Sequence, residues 1–227
     1  MGGVVECPEI VIDDKVKEKF DVFLAVTCIF ELKREGSAEK FLLEAEEEVR
    51  REFSLEKLKD YPRVRALRDF YWRLGIDPTK QRPSSEALVR RVLRGRKVPR
   101  INCIVDVGNA VSMVTMVPIG IYDLDKLYPP LRLRFAEEGE MFKPIGGSLE
   151  KLSREQIVLA DLWRVVHVFP HRDCDETKVT GETRNVLVVA CGVPGLGEKI
   201  VVEATREVSS KLIELCGGQS TPVKIIK

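Results

Sequence analysis

Residues 98–123 limit the possible folds of this 227-residue chain more than any other stretch. The stretch opens with a short basic segment, continues as an apolar run that contains Asp106, Asn109 and Ser112, and ends in the β-like sequence at 118–123. The three polar residues are spaced by three, so on a helix they share one face while apolar side chains cover the others. A helix that is apolar on most sides is buried. The stretch therefore predicts a central buried helix followed by a strand.

The polar face of this helix has two interpretations. In the first, the three polar side chains bind neighbouring backbone, because an unpaired buried polar group costs about 1–3 kcal/mol. In the second, they line the wall of a ligand pocket. The sequence of the helix leaves both interpretations open.

The predicted secondary structure changes from mainly helical to mainly β near residue 119. Before it, helical periodicity predicts helices at 14–20, 37–53, 63–74 and 87–94, the last with Ser84 as N-cap, and strands at 9–12 and 22–30. After it, short β-like runs lie at 118–122, 131–135, 157–160, 163–169 and 186–190, followed by an amphipathic helix at 200–215. The expected fold class is α+β, with mixed β-sheets flanked by helices, an α-rich first half and a β-rich second half.

The charge of the chain is uneven. The formal net charge is only +1, so binding to nucleic acid would need a local basic patch. Residues 63–100 carry twelve Lys and Arg against three Asp and Glu. This excess fits a surface that contacts RNA phosphates, although solvated basic helices have the same composition. The RNA-contact candidates are Arg82, Arg90, Arg91, Arg94, Arg96, Lys97 and Arg100, and we expect no DNA partner.

Residues 169–177 are the densest cluster of reactive side chains. Pro170 argues against a helix that would place His167 and His171 on one face, so we expect no metal site. Arg172 and Asp173 are expected to form an ion pair that fixes a loop or holds a carboxylate or ribose group. Threonines at 177, 180 and 183 would add hydroxyl groups near that pair, unless they only form turns. No nucleotide-binding or hydrolase signature is present, so no cofactor is expected.

The six cysteines, at positions 7, 28, 103, 174, 191 and 216, form no C-x-x-C pair. Most lie within apolar runs, which is typical of buried free thiols in a reducing cytosol. The sequence has no apolar run long enough to span a membrane and no secretory pattern at its start. We therefore expect a cytoplasmic protein without a membrane partner.

Several short motifs follow one another in a characteristic order. They are Ser84-Ser-Glu-Ala-Leu, Ile101-Asn-Cys-Ile-Val-Asp-Val-Gly-Asn109, Pro118-Ile-Gly-Ile-Tyr-Asp123, Leu133-Arg-Phe-Ala-Glu-Glu-Gly-Glu140, Ile157-Val-Leu-Ala-Asp161, Asp175-Glu-Thr177, Thr183-Arg-Asn-Val-Leu and Ala204 to Cys216-Gly-Gly. Over about residues 61–218 this order resembles the B3/B4 domain of the phenylalanyl-tRNA synthetase β subunit, here free-standing. The Val-Asp-Val-x-Asn sequence that ends at Asn109 and the Glu-x-Gly-Glu sequence that ends at Glu140 are its most specific parts.

The resemblance implies a division of the chain. Residues 61–218 would form the B3/B4-like domain, residues 1–60 a strand-helix extension packed on its core, and residues 219–227 a tail, all in one compact unit. A chain of 227 residues has no room for an aminoacylation catalytic core.

The resemblance also implies a function. The B3/B4 module is an editing domain that hydrolyses tyrosine wrongly esterified to phenylalanine tRNA, and it contacts tRNA. Its His in a Pro-x-His-x-x-Asp motif corresponds to Gly120, and its Glu after the Asn-Val-Leu strand corresponds to Val189. These losses remove groups that would orient water or recognise a tyrosine hydroxyl, so that reaction does not transfer directly. The retained residues are Asp106, Asn109, Asp123, Arg134, Glu140, Asp161 and Thr183.

Three functions follow as expectations. The first is binding, with trans-editing, of a mischarged aminoacyl-tRNA; the second is non-catalytic RNA binding; the third is binding of a small amino-acid-like ligand. The expected pocket lies between the helix of 106–112 and the loop of 169–183. Its candidate residues are Asp106, Asn109, Ser112, Gly120, Arg172, Asp173, Thr177, Thr183 and Val189. The catalytic residues and the oligomeric state stay unassigned.

Overall fold

A computed structural model describes residues 7–227. The helices are α1 (Asp14–Lys19), α2 (Glu39–Glu52), α3 (Pro62–Arg73), α4 (Ser84–Leu93), α5 (Cys103–Thr115) and α6 (Glu198–Cys216). The strands are β1 (Ile10–Ile12), β2 (Phe23–Phe30), β3 (Ile119–Asp123), β4 (Leu131–Phe135), β5 (Met141–Phe142), β6 (Glu150–Lys151), β7 (Ile157–Ala160), β8 (Val165–Val168), β9 (Arg172–Asp173), β10 (Val186–Gly192), β11 (Gln219–Ser220) and β12 (Lys224–Ile226).

The strands form two main sheets and a hairpin. The first sheet has the order β1-β4-β7-β8-β9, in which β1 pairs with β4 in parallel and the other pairs are antiparallel. The second has the order β11-β2-β10-β3, and β12 also pairs with β2; all its pairs are antiparallel. Strands β5 and β6 pair only with each other. The α+β fold class is confirmed.

The expected N-terminal extension and tail both contribute strands to these sheets. β1 is an edge strand of the first sheet, and β2 lies inside the second. β11 and β12, from the last nine residues, pair with β2. Residues 1–6 of the expected extension lie outside the described part of the chain.

Most predicted elements appear within a few residues of their expected bounds, with two corrections. Ser84 is the first residue of α4 and not its N-cap; Pro83 takes the cap position, and no side chain caps the helix. The strand expected at 163–169 is limited to β8, because Asp161 accepts hydrogen bonds from the backbone N–H groups of Trp163 and Arg164 and holds a turn there.

The second sheet lies between the helices and the first sheet. Side chains alternate between its two faces. Ile121 faces α5, since a Cβ built on Gly108 of that helix would lie 2.8 Å from Ile121 Cδ1. α6 covers the same sheet, and the Thr205 hydroxyl donates a hydrogen bond to the Ala25 carbonyl of β2 at 3.5 Å. The opposite face, with Gly120 and Tyr122, therefore points toward the first sheet.

The central helix α5 begins and ends for identifiable reasons. The Asn102 side chain accepts a hydrogen bond from the Val105 backbone N–H at 3.0 Å and caps the first turn. At the other end, Met116 adopts φ 61°, a left-handed conformation that stops the helix before Pro118. These ends fix the register of α5 against β3.

Four of the six cysteines are free thiols, and the other two form a bond that the sequence analysis did not predict. Cys7 and Cys28 form a disulfide, which joins the segment before β1 to β2. Cys103, Cys174, Cys191 and Cys216 are free. None of the helices in residues 7–227 is long and apolar enough to cross a membrane.

Replacing Asn102 with Ala should reduce the free energy of unfolding by about 1 kcal/mol, because the first turn of α5 loses its cap. Asn109→Ala is the matched control, since Asn109 lies inside the same helix and caps nothing. Urea denaturation followed by circular dichroism measures both variants. Equal unfolding midpoints for the two would contradict the capping role.

Candidate functional site

A polar cluster lies between the two sheets, on the inward face of β3. The Tyr122 hydroxyl donates a hydrogen bond to Asp173 Oδ1 at 2.8 Å, and His167 Nδ1 lies 2.8 Å from the same oxygen. On its other side, His167 Nε2 lies 3.8 Å from Cys191 Sγ. Tyr122, His167 and Cys191 are buried, whereas 33% of the Asp173 side chain is exposed. The cluster therefore reaches solvent through Asp173.

Gly120 and Val189, where the resemblance places a His and a Glu, face each other across the β3–β10 pair. A Cβ at position 120 would overlap the Tyr122 hydroxyl and lie 3.2 Å from Asp173 Oδ1. Tyr122 is two residues further along the strand, so it shares that face and leans back over Gly120. Val189 is apolar and only 1% exposed. The Tyr122 phenol thus occupies the space that a side chain at 120 would need.

Burial keeps several groups near this cluster uncharged. Burial raises the pKa of Tyr122, and the negative charge of Asp173 raises it further. Burial also lowers the pKa of His171 to about 3. The His171 ring lies 5.7 Å from the Tyr71 ring, between ring centroids. The Tyr122 phenol therefore keeps its proton and can donate it to the Asp173 carboxylate.

Arg172 and Asp173 do not form the expected ion pair. They are consecutive residues of β9, so their side chains leave the strand on opposite faces. Arg172 Nη2 lies 2.5 Å from Glu150 Oε1, and its guanidinium lies 5.5 Å from the centre of the Phe142 ring. The prediction that Arg172 and Asp173 form an ion pair that holds a ligand is therefore wrong.

The expected threonines hold the loop that leads to β10. The Thr183 hydroxyl donates to Asp123 Oδ2 at 2.7 Å and accepts from the Thr180 backbone N–H at 2.9 Å. The Thr177 carbonyl accepts from the Asp123 N–H at 3.0 Å. Both contacts hold the loop against Asp123 at the end of β3. The threonine contacts are therefore separate from the Tyr122–Asp173 hydrogen bond.

Of the three polar residues predicted to share one face of α5, two bind backbone groups and the third lies at a surface cleft. Asp106 accepts a hydrogen bond from the Ile101 N–H at 2.9 Å, and the Ser112 hydroxyl donates to the Val117 carbonyl at 2.7 Å. These contacts match the backbone-binding interpretation. Asn109 instead lines a surface cleft next to α4. The expected pocket that joins α5 to residues 169–183 stays a prediction.

The cleft beside Asn109 is strongly basic, and we call it the arginine cleft. Its volume is about 610 Å³. It lies between α4, the segment that follows α4, and α5. Its lining residues are Arg82, Ser84, Ala87, Leu88, Arg90, Arg91, Arg94, Arg96, Pro99 and Asn109. Five of the seven predicted RNA-contact residues thus meet at one cleft, and Lys97 and Arg100 are the two outside it.

A buried carboxylate holds one side of the arginine cleft. Glu86 is fully buried and accepts hydrogen bonds from Arg68 Nε at 2.8 Å and Arg90 Nε at 2.6 Å. A further bond from Arg68 Nη2 at 2.7 Å makes the Arg68 contact bidentate. Burial alone would raise the pKa of Glu86, but the two arginines outweigh burial and lower the pKa. Arg90 is therefore partly neutralised.

A second buried carboxylate holds the segment between α4 and α5. Glu46 of α2 accepts hydrogen bonds from the Val98 N–H at 2.9 Å and from Arg100 Nη1 at 2.8 Å. Arg100 is thus also neutralised. The exposed arginines of the cleft are Arg91, Arg94 and Arg96. Within residues 7–227, no group of three His, Cys, Asp or Glu side chains is placed to hold a metal ion.

The sequence alone did not identify Tyr122, His167, Glu86 and Glu46 as organising residues. Tyr122 shares a strand face with Gly120, so the period of two along β3 was a signal that could have found it. Glu86 lies four residues before Arg90, the spacing of a helical ion pair. Glu46 and Arg100 are 54 residues apart, and nothing local links them.

Comparison with known protein families matches residues 66–216 to the B3/4 domain. The chain is 29% identical over 162 residues to a phenylalanine–tRNA ligase beta subunit of Pectobacterium atrosepticum, covering 60% of this chain and 20% of that protein. It is 27% identical over 149 residues to the same subunit of Bartonella quintana, covering 56% and 18%. The chain therefore spans about a fifth of the length of these relatives.

A solved structure has a similar fold. It is an N-terminal fragment of the phenylalanyl-tRNA synthetase beta-subunit from Pyrococcus horikoshii, with a TM-score of 0.51 and 17% sequence identity. The match covers 93% of this chain and 50% of the fragment. The expected resemblance of the fold to that β subunit is confirmed.

Replacing Glu86 with Gln should reduce the free energy of unfolding by about 2–4 kcal/mol, because Arg68 and Arg90 keep their charges and lose the opposite charge. Glu52→Gln is the control: its pair with Arg51 is exposed, and its loss should cost less than about 1 kcal/mol. Since folding lowers the pKa of Glu86, its stabilisation is present above the ordinary Glu pKa and is lost as pH falls. Denaturation at neutral and acid pH measures this; an unchanged difference between wild type and Glu86→Gln in acid would contradict it.

Replacing Gly120 with Ala should destabilise the protein by about 1–3 kcal/mol, because the new methyl group overlaps the Tyr122 phenol. Combined with Tyr122→Leu, the same change should cost less than it does alone, since the smaller side chain frees that space. Gly181→Ala is the control, because no atom lies within 4 Å of a Cβ built there. Strict additivity in denaturant unfolding of the double variant would show that Tyr122 does not fill this position.

Proposed function

Because this chain belongs to the B3/4 domain family, we propose that it is a tRNA-related protein that binds an aminoacyl-tRNA at the arginine cleft. The curated relatives are named phenylalanine–tRNA ligase beta subunits, and this chain matches about a fifth of their length. The arginine cleft is the observation that carries the proposal. In a chain of net charge +1, it gathers five arginines at one concave surface.

The side chains of the cleft suit a phosphate backbone. A guanidinium presents a planar fork of N–H donors that matches two phosphate oxygens. Arg91, Arg94 and Arg96 are exposed, and none of them forms a salt bridge with another described residue. The Asn109 amide adds a donor and an acceptor for a ribose or base edge. Arginines would supply affinity, and Asn109 would supply the contact that depends on the nucleotide.

The cleft is held in shape before any RNA arrives. Arg68 and Arg90 fix α4 against α3 through Glu86, and the Arg91 Nε donates to the Lys97 carbonyl at 2.6 Å. A preformed cleft loses less conformational entropy on binding. We propose a cytoplasmic location, where tRNA is available.

Hydrolysis of a mischarged aminoacyl-tRNA is a second candidate, favoured by the Tyr122–Asp173–His167 cluster. Asp173 is partly exposed, and its Oδ1 is held by the Tyr122 hydroxyl and lies 2.8 Å from His167 Nδ1, so its second oxygen is free to hold a water molecule. That water would attack the ester carbonyl while Asp173 accepts its proton. The acyl carbon–oxygen bond to the terminal ribose would then break, and Asp173 would return the proton to the leaving ribose oxygen, which gives a free amino acid and a ribose hydroxyl. Arg172 and Asp173 do not form a pair, so no observation supports the third expected function, binding of a small amino-acid-like ligand between them.

The triple change of Arg91, Arg94 and Arg96 to Ala should weaken binding to total tRNA at least tenfold at low salt. It should also reduce the slope of log affinity against log salt by about 2, since each lost phosphate contact removes about 0.7. Fluorescence anisotropy across a salt series measures both values. Arg154→Ala and Arg206→Ala, two exposed arginines outside the cleft, are the controls. An unchanged slope in the triple variant would overturn the cleft as the RNA surface.

The second candidate predicts deacylation of at least one member of a panel of mischarged tRNAs. Asp173→Asn should reduce that rate by about 100-fold or more while leaving tRNA affinity unchanged, because the proton acceptor is lost and the arginine cleft is intact. Thr180→Ala, in the loop beside β3, is the control. A panel without hydrolysis would leave binding as the function, and an Asp173→Asn variant of full activity would exclude Asp173 as the proton acceptor.

A further inference from the structure

Two free thiols meet at the ends of the two long central helices. Cys103 is the first residue of α5, and Cys216 is the last residue of α6. Their sulfur atoms lie 2.8 Å apart, although 113 residues separate them in sequence. A disulfide bond is about 2.0 Å long, so the two sulfurs are within about 1 Å of bonding distance. Cys103 is partly exposed, whereas Cys216 is buried.

Gly36 packs against both sulfur atoms, and its lack of a side chain lets them lie this close together. A Cβ on Gly36 would collide with Cys216 Sγ and lie 3.2 Å from Cys103 Sγ. It would also lie 2.6 Å from the Leu215 carbonyl oxygen. The backbone near Gly36 is held at the same place, since the Lys33 N–H donates to the Cys216 carbonyl at 2.7 Å. A side chain at position 36 would therefore force Cys216 Sγ out of its position beside Cys103.

We propose that Cys103 and Cys216 are a second disulfide site, which closes when the protein meets a small-molecule disulfide such as oxidised glutathione. The bond would join the start of α5 to the end of α6. α5 carries Asn109, so the bond would stabilise one wall of the arginine cleft. Nothing in this proposal depends on tRNA binding.

The chemistry is an ordinary thiol–disulfide exchange. The hydrogen bond with Cys103 lowers the pKa of Cys216, so the pair releases its first proton more easily than an isolated buried thiol. The thiolate that the Cys103–Cys216 pair forms attacks one sulfur of the glutathione disulfide. A mixed disulfide forms on the protein, and one glutathione thiolate leaves. The second cysteine loses its proton and attacks the mixed disulfide, which releases the second glutathione. Two protein thiols are oxidised, and one glutathione disulfide is reduced to two thiols.

The test is to equilibrate the full chain with excess oxidised glutathione, denature it without reductant, alkylate it and map the peptides. Cys174 and Cys191 should be alkylated, and Cys103 and Cys216 should appear in one linked peptide. In Cys216→Ser, Cys103 should instead carry a glutathione adduct. Alkylation of all four free cysteines in the wild type, without the linked peptide, would overturn the proposal.

A stability measurement keeps the test independent of peptide recovery. In a Cys7→Ser, Cys28→Ser background, oxidation should raise the Tm by about 5–15 °C, because the bond closes a long loop in the unfolded chain. Adding Cys103→Ser and Cys216→Ser should abolish the shift. Gly36→Ala should reduce the yield of the linked peptide several-fold at the same glutathione ratio. Equal Tm values for the oxidised and reduced forms of the background variant would count against the site.

Discussion

Glu86 and Glu46 are buried carboxylates that join separate parts of the helical region. Glu86 of α4 binds Arg68 of α3, and Glu46 of α2 binds Arg100 in the segment that leads into α5. A buried carboxylate costs several kcal/mol unless charged donors surround it. Glu86 receives its donors from two helices, and Glu46 receives a backbone N–H together with Arg100. These contacts hold α4 against α3 and the segment after α4 against α2. In that arrangement, the remaining arginines converge on one cleft.

The same interactions separate structural arginines from functional ones. Arg68, Arg90 and Arg100 have buried partners, so their charges serve the fold. Arg91, Arg94 and Arg96 project from the end of α4 and the segment after it. The amino-acid composition cannot separate arginines with buried partners from exposed arginines, because each adds the same charge to the total. The division explains why a chain with almost no net charge can present a basic surface.

The inward face of β3 carries a polar contact beside a glycine. Tyr122 leans over Gly120 and binds Asp173, so polar contacts come from residues other than those at 120 and 189. Val189 continues the apolar core on the facing strand. Asp173 is the one member of the cluster with substantial exposure. Solvent therefore reaches this cluster at the Asp173 side chain.

Sequence patterns predicted the order of helices and strands, the α+β class and the family resemblance, because these follow from local periodicity and motif order. They also identified, among the RNA-contact candidates, the five arginines that line the arginine cleft. The patterns failed where long-range packing decides. The Glu46–Arg100 contact and the Cys7–Cys28 disulfide join distant segments. The supposed Arg172–Asp173 pair ignored the alternation of side chains along a strand, which the strand assignment alone would have corrected.

The most direct measurement of the central claim is ultraviolet cross-linking of the full chain to tRNA, followed by mass spectrometry of the linked peptides. The account predicts that cross-links concentrate in peptides from residues 82–109, which contain the residues of the arginine cleft. Cross-links concentrated on α6 or on the loops of the first sheet, with residues 82–109 unmodified, would contradict it.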